Sequence, residues 1–251
     1  MCFLSRAHQH FYMSGHSKWS KVKHQKAVTD SVKARLFTKA ARAITIAVHE
    51  GGGVTDPDDN FKLRLAIENA RGVNMPKENI DRAIAHAALG AKGGGLETIL
   101  YEGFGPGGVG ILIESATDNK QRTVSVVRNV LETAGGSLGS TGSVGYLFDV
   151  VGMVITNKGT ISSDDMLAKA LDAGAVDCIE EVDAFILFTT LPTLFSVKTA
   201  LAEAGIMVEQ ADVVYRPKTT LMISPADKVN VDTLVMKLEE LDDVQRVFTN
   251  V

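Results

Sequence analysis

Between residues 149 and 215 the sequence alternates strand and helix patterns in an order that can close a sheet without help from the rest of the chain. Apolar runs at 177–182 and 184–190, with further runs at 151–156 and 207–215, predict strands, and helical spacing over 163–173 and 193–204 predicts helices. The order βαββαβ is that of a ferredoxin-like unit. The flanks cannot close a sheet separately. Strands at 98–103 and 109–116 with a helix at 121–134 come before, and strands at 219–224 and 244–249 around a helix at 228–241 come after. Two half-sheets separated by a complete unit predict one discontinuous α/β domain, 96–148 plus 216–251, with 149–215 inserted in it.

Three helix patterns precede these strands. Over 30–49, Leu36, Phe37, Ala40, Ala41, Ile44, Ala47 and Val48 share one arc of about 140° at helical spacing. Arg35, Lys39 and Arg42 form a stripe on the opposite face, interrupted by Ile46, and Gly51-Gly52-Gly53 ends the helix. Asp56-Pro57 reads as the start of a second helix reaching about Arg71, and Pro76 as the start of a third. Short connections make these a bundle, and the AKGGG run at 91–95 a hinge or linker. The expected fold is α+β and multidomain: a basic N-terminal arm and three-helix bundle over 13–95, then two α/β domains, one ferredoxin-like and inserted in the other.

Charge divides the chain at the same linker. The net charge is −4, but residues 1–95 carry 15 Lys+Arg against 8 Asp+Glu, whereas 96–251 carry 11 against 22. Asymmetry of this kind points to contact with nucleic acid or a membrane surface by the basic half. Eight basic residues and one acid lie between Lys18 and Arg42, and inside that run stands the chain's only tryptophan, in GHSKW. Trp19 has only Val22 as an apolar neighbour in WSKVKHQK, so it reads as exposed or partner-bound. The expected nucleic-acid-binding set is His16, Lys18, Trp19, Lys21, Lys23, Lys26, Arg35, Lys39 and Arg42. Lysines meet phosphates in this reading, and Trp19 stacks on or wedges against a base.

Other functions find little support in the residues. Gly103–Gly108 matches GxGxxG, but the strand pattern GVGILIES follows where a dinucleotide site needs a helix N-terminus, so a hairpin loop is expected. The glycine-rich stretch GGSLGSTGSVGYLF from Gly135 offers backbone amides that could nest an anion, or a plain loop feeding a strand. Six scattered histidines form no HExxH, the carboxylates lack EF-hand spacing, and no GxSxG elbow is present. No enzyme, metal or cofactor is therefore expected. Cys2 and Cys178 form no ligand-spaced pair, which suits a reducing cytoplasm, and the longest apolar stretch, 184–195, is too short to span a membrane. Residues 1–12, followed by Met13, read as an extension without a structural role.

Several separate blocks carry a family resemblance from Met13 nearly to the end: GHSKWSKVKHQK with KARLFTKAARAI, NMPKENIDRAI, YEGFGPGGVGILIESATDNKQRT, GGSLGSTGSVGYLF and LDDVQRVFTN. Together they resemble the YebC/PmpR family. The chain departs from the family pattern at Val28–Val32, where relatives are more polar and more basic. The resemblance implies a three-domain protein and a regulator of gene expression. Bacterial members are described as DNA-binding transcriptional regulators of the cytoplasm. Others are linked to the ribosome and stalled translation, and a mitochondrial relative activates translation of a cytochrome oxidase subunit. DNA and ribosomal RNA are thus both implied as partners.

Overall fold

The computed structural model describes residues 30–90 and 95–251. Helix α1 (Asp30–Glu50) buries Ala40, Ile44, Ala47 and Val48 against α2 (Phe61–Gly72) and α3 (Lys77–Gly90), which contribute Leu63, Ile67, Ala70, Ile80 and Ala87. The arc read from helical spacing is the arc that packs. Gly53 ends α1 in the left-handed region, φ 86°, and its N–H reaches the Val48 carbonyl at 2.8 Å.

The second helix begins later than Asp56-Pro57 suggests, because Asn60 is the stronger cap. Its Oδ1 accepts the Leu63 N–H at 3.1 Å, and its Nδ2 donates to the carbonyls of Ala47 (2.9 Å) and Val54 (3.0 Å). One buried amide thus starts α2 and adds a second hydrogen bond to a carbonyl in the last turn of α1 that already accepts the Gly51 N–H at 3.0 Å. Gly51 makes room for it, since a Cβ there would lie 2.2 Å from Asn60 Nδ2.

Two four-stranded antiparallel sheets follow. Strands β1 (Glu97–Phe104), β2 (Gly110–Thr117), β3 (Ser137–Leu138) and β8 (Val244–Thr249) pair in the order β3-β1-β2-β8, with helices α4 (Lys120–Thr133) and α7 (Pro225–Glu239). Strands β4 (Phe148–Asn157), β5 (Asp177–Glu180), β6 (Ala184–Thr189) and β7 (Val208–Pro217) pair in the order β5-β6-β4-β7, with α5 (Ser163–Ala173) and α6 (Leu194–Glu203). The second sheet has ferredoxin-like order and is built wholly from chain lying between β3 and β8 of the first. The segment 219–224 forms no strand. Its Leu221 N–H bonds the Asn250 carbonyl beyond the end of β8, and Ser224 then caps α7 with Pro225 in the first turn. The edge position in the first sheet goes instead to the two residues of β3.

β2 is buried on both faces, which fixes how the layers stack. Ile111 and Ile113 pack with Val127 and Leu131 of α4 and Val231 and Leu234 of α7. Leu112, with Phe248 of β8, meets Met153 and Ile155 of β4, Phe188 of β6 and Val214 of β7. The sheets thus lie face to face with helices outside.

The bundle is tied to both sheets. Leu65 of α2 enters the apolar cluster of the second sheet's helices, beside an edge-to-face pair of Phe61 with Phe195 at 6.2 Å. Arg246 of β8 is held by Glu114 of β2 at 2.8 Å and Asp212 of β7 at 3.0 Å, while Asn69 of α2 donates to the other oxygen of Asp212 at 3.2 Å.

Candidate nucleic-acid interface

His16, Lys18, Trp19, Lys21, Lys23 and Lys26 lie outside the described residues. Arg35, Lys39 and Arg42 lie one below another on α1, and the face they form is covered by the turn joining α7 to β8. Lys39 is 8% exposed, and its Nζ donates to the Glu239 carbonyl at 2.6 Å. Arg42 donates to the Asp242 carbonyl at 2.5 Å and to Asp243 Oδ1 at 2.7 Å. Arg35 is the most open of the three, with its guanidinium 3.9 Å from the Glu240 carboxylate. A face expected to be open to phosphates therefore holds the bundle against the first α/β unit. Ile46, the apolar residue interrupting the stripe, is half-buried.

Asp243 organises the turn. It takes Arg42 on Oδ1, and Arg122 (3.0 Å) and Thr123 (2.7 Å) on Oδ2. Burial alone would raise its carboxyl; the hydrogen bonds from Thr123, Arg122 and Arg42 outweigh burial and hold it below the usual carboxylate range. Arg122 also reaches Asp118 at 2.8 Å, within the DNKQRT stretch where Asn119 caps α4. These residues, with Val126, Leu241 and Asp242, line an open cleft of about 390 Å³ at the junction of α1, α4 and the turn. Arg42, Arg122, Asp118 and Asp243 pair with one another in the cleft.

The glycine-rich stretches resolve differently. Gly105–Gly108 turns β1 into β2, with Gly107 and Gly108 at φ 72° and 77°, and a strand follows. The loop after β3 does nest an anion, and the anion belongs to the chain. Glu102, 6% exposed, accepts backbone N–H bonds from Gly142 (2.7 Å), Val144 (2.6 Å) and Gly145 (2.7 Å). Burial opposes its ionisation, and the three N–H groups prevail, lowering its pKa. Cys178 sits half-buried beside Asp177 and Glu180; burial first, then those charges, push its thiol up to about 11, so it is not an activated nucleophile. Among the described residues no group of three or more His, Cys, Asp or Glu could hold a metal ion, and no helix is long and apolar enough to cross a membrane.

Fold and site together define a three-part α+β protein in which a basic helix is clamped to a pair of stacked α/β units. The chain belongs to the TACO1/YebC family: residues 17–90 match the TACO1/YebC N-terminal domain and residues 96–251 its second and third domain. A relative from Thermoanaerobacter pseudethanolicus, named a probable transcriptional regulatory protein, is 45% identical over 240 residues, covering 95% of this chain and 97% of its own. One from Ralstonia pickettii, with the same designation, is 43% identical over 239 residues, covering 95% and 98%. The crystal structure of a conserved hypothetical protein from Aquifex aeolicus superposes with a TM-score of 0.84 at 38% identity, covering 93% of this chain and 96% of that one.

Proposed function

We propose that the chain is a non-enzymatic, nucleic-acid-binding regulator of gene expression acting in the cytoplasm, with DNA as its first ligand. The observation that carries this reading is the concentration of eight cations between Lys18 and Arg42 in a chain of net charge −4. The designation of its relatives as probable transcriptional regulatory proteins supports it. In this reading the segment holding His16, Lys18, Trp19, Lys21, Lys23 and Lys26 makes the first contact: its lysines neutralise phosphates and Trp19 supplies a stacking surface. Arg35, Lys39 and Arg42 continue the same track along α1.

A second reading, a translation factor bound to ribosomal RNA, is favoured by one observation. α1 lies with its basic face against the α7–β8 turn, so it is not presented as a helix free to enter a major groove. Backbone and stacking contacts of the RNA type need no such helix.

Replacing Lys18, Lys21, Lys23 and Lys26 with alanine tests the shared core of both readings. Binding to a short fluorescein-labelled DNA duplex, followed by anisotropy from low to moderate salt, should weaken for every sequence tried. The log–log salt slope should flatten by about 3.6. An unchanged slope rejects the assignment. Crosslinking in cells, with sequencing of the attached fragments, then separates promoter DNA from ribosomal RNA.

A further inference from the structure

Most of the carbonyls and carboxylates that cover the basic face of α1 come from the end of α7 and the turn after it, with one further carbonyl, Ala116 of β2, 3.4 Å from Arg42; they offer what a nucleic-acid backbone offers: closely spaced anionic or strongly polar oxygens. Along α1 the partners run in step. Arg35 faces the Glu240 carboxylate, Lys39 the Glu239 carbonyl, and Arg42 the Asp242 carbonyl and Asp243 carboxylate. From this we infer that the Glu239–Asp243 turn is an autoinhibitory latch, an internal phosphate mimic that occupies the α1 stripe until nucleic acid displaces it. The inference rests on the nucleic-acid reading given above.

Three features of the geometry make the latch displaceable rather than a permanent core contact. Its outer rung is exposed: the Arg35 and Glu240 side chains are 40% and 59% accessible and sit at 3.9 Å, close to the limit of an ion pair. Its inner rungs are polar, a Lys39–carbonyl hydrogen bond and the Arg42–Asp243 pair with side chains 22% and 13% accessible, so phosphate oxygens can replace their acceptors in kind. Asp243 also keeps Arg122 and Thr123 when Arg42 leaves, so opening does not strand a buried carboxylate without partners. On the other side Lys39, 8% exposed, and Arg42, with its side chain 22% accessible, lose anionic or carbonyl partners on opening, and a phosphate chain replaces them. Lys18–Lys26 precede α1 in the chain, so nucleic acid they hold is tethered close to it. The latch and the nucleic acid then compete for one set of cations, and by linkage whatever weakens one strengthens the other.

The test uses the full chain. Asp243→Asn and Glu240→Gln remove latch charge while leaving every proposed nucleic-acid contact in place. Both should bind the labelled duplex more tightly than the parent, Asp243→Asn by roughly fivefold, and with a steeper salt slope as α1 cations join the contact. A second arrangement covers the case in which Asp243→Asn unfolds. Cysteines at Arg35 and Glu240, in a background with Cys2 and Cys178 replaced by serine, are joined by a short bis-maleimide. The joined protein should bind more weakly and with a flatter slope than the same protein left unjoined.

Affinity and slope unchanged both by the latch substitutions and by joining overturn the inference. If binding is lost in the variant with Lys18, Lys21, Lys23 and Lys26 replaced while the latch variants match the parent, the latch alone fails. If the four-lysine variant binds as the parent does, the nucleic-acid reading fails and takes the latch with it.

Discussion

Glu102 shows how much a single carboxylate can order. A loop of glycines and serines has little side chain to pack, so its conformation must be set by its backbone, and here three N–H groups converge on one buried acid. Glu102→Gln keeps the shape but points an NH2 group at donors. We expect a loss of about 2 kcal/mol from the N–H left unpaired, measured as a lower urea midpoint at unchanged slope. The pH dependence follows from the lowered pKa. The folded-state value lies below 4.5, so the native state holds its proton less tightly than the unfolded chain does. This contribution is therefore fully present above about pH 4.5 and is lost as pH falls through the folded value. Glu102→Gln should remove that part of the acid loss; a variant whose stability falls as steeply as the parent's below pH 4.5 would contradict the assignment.

At the scale of elements, local pattern told most where the element is held by its own neighbours in sequence. The βαββαβ order, the packing arc of α1 and the strand after the GFGPGG turn were all legible, because each follows from the spacing of apolar residues or from the residue type at a turn. β3 was not, because two residues carry no period; Ser137 and Leu138 pair with Phe104 and Gly103 beside a loop that Glu102 has ordered. The 219–224 segment misled in the opposite way. Leu221 and Met222 look like strand, but Met222 is 91% exposed and the chain is already turning toward the Ser224 cap. The start of α2 turned on Asn60, whose partners Ala47 and Val54 belong to the preceding helix and its exit turn. Asn60→Ala should accordingly cost more than an ordinary cap, about 2–3 kcal/mol rather than 1. A denaturation midpoint shifted by no more than a surface cap would show that the two carbonyl contacts contribute nothing.

The candidate site was only half legible for a reason that belongs to the whole molecule. The basic stripe is visible in sequence, but what covers it lies some 200 residues away in a turn whose acids look like ordinary helix-end charges. Arg246 was missed on the same grounds: nothing near it in sequence announces that β8 will carry an arginine between two sheets. It joins Glu114 in its own sheet to Asp212 in the other, donates to the Val213 carbonyl at 2.7 Å, and through Asp212 reaches Asn69 of the bundle. Burial disfavours its charge, and Asp212 and Glu114 more than compensate, raising its pKa further above an already high value. Removing the cation alone leaves two carboxylates, 17% and 20% accessible, facing each other without a counter-ion. Arg246→Met should therefore cost about 3–5 kcal/mol and loosen the face-to-face packing of the sheets. The sheets should then stop melting together, so that the calorimetric enthalpy exceeds the van't Hoff value. The triple variant Arg246→Met, Glu114→Gln, Asp212→Asn removes all three charges and should regain most of that loss, because the cost comes from unpaired burial and not from the absence of an ion pair. If the triple variant is as unstable as Arg246→Met, the arginine acts through its packing over Phe248, 5.6 Å from the ring centre, and not through charge.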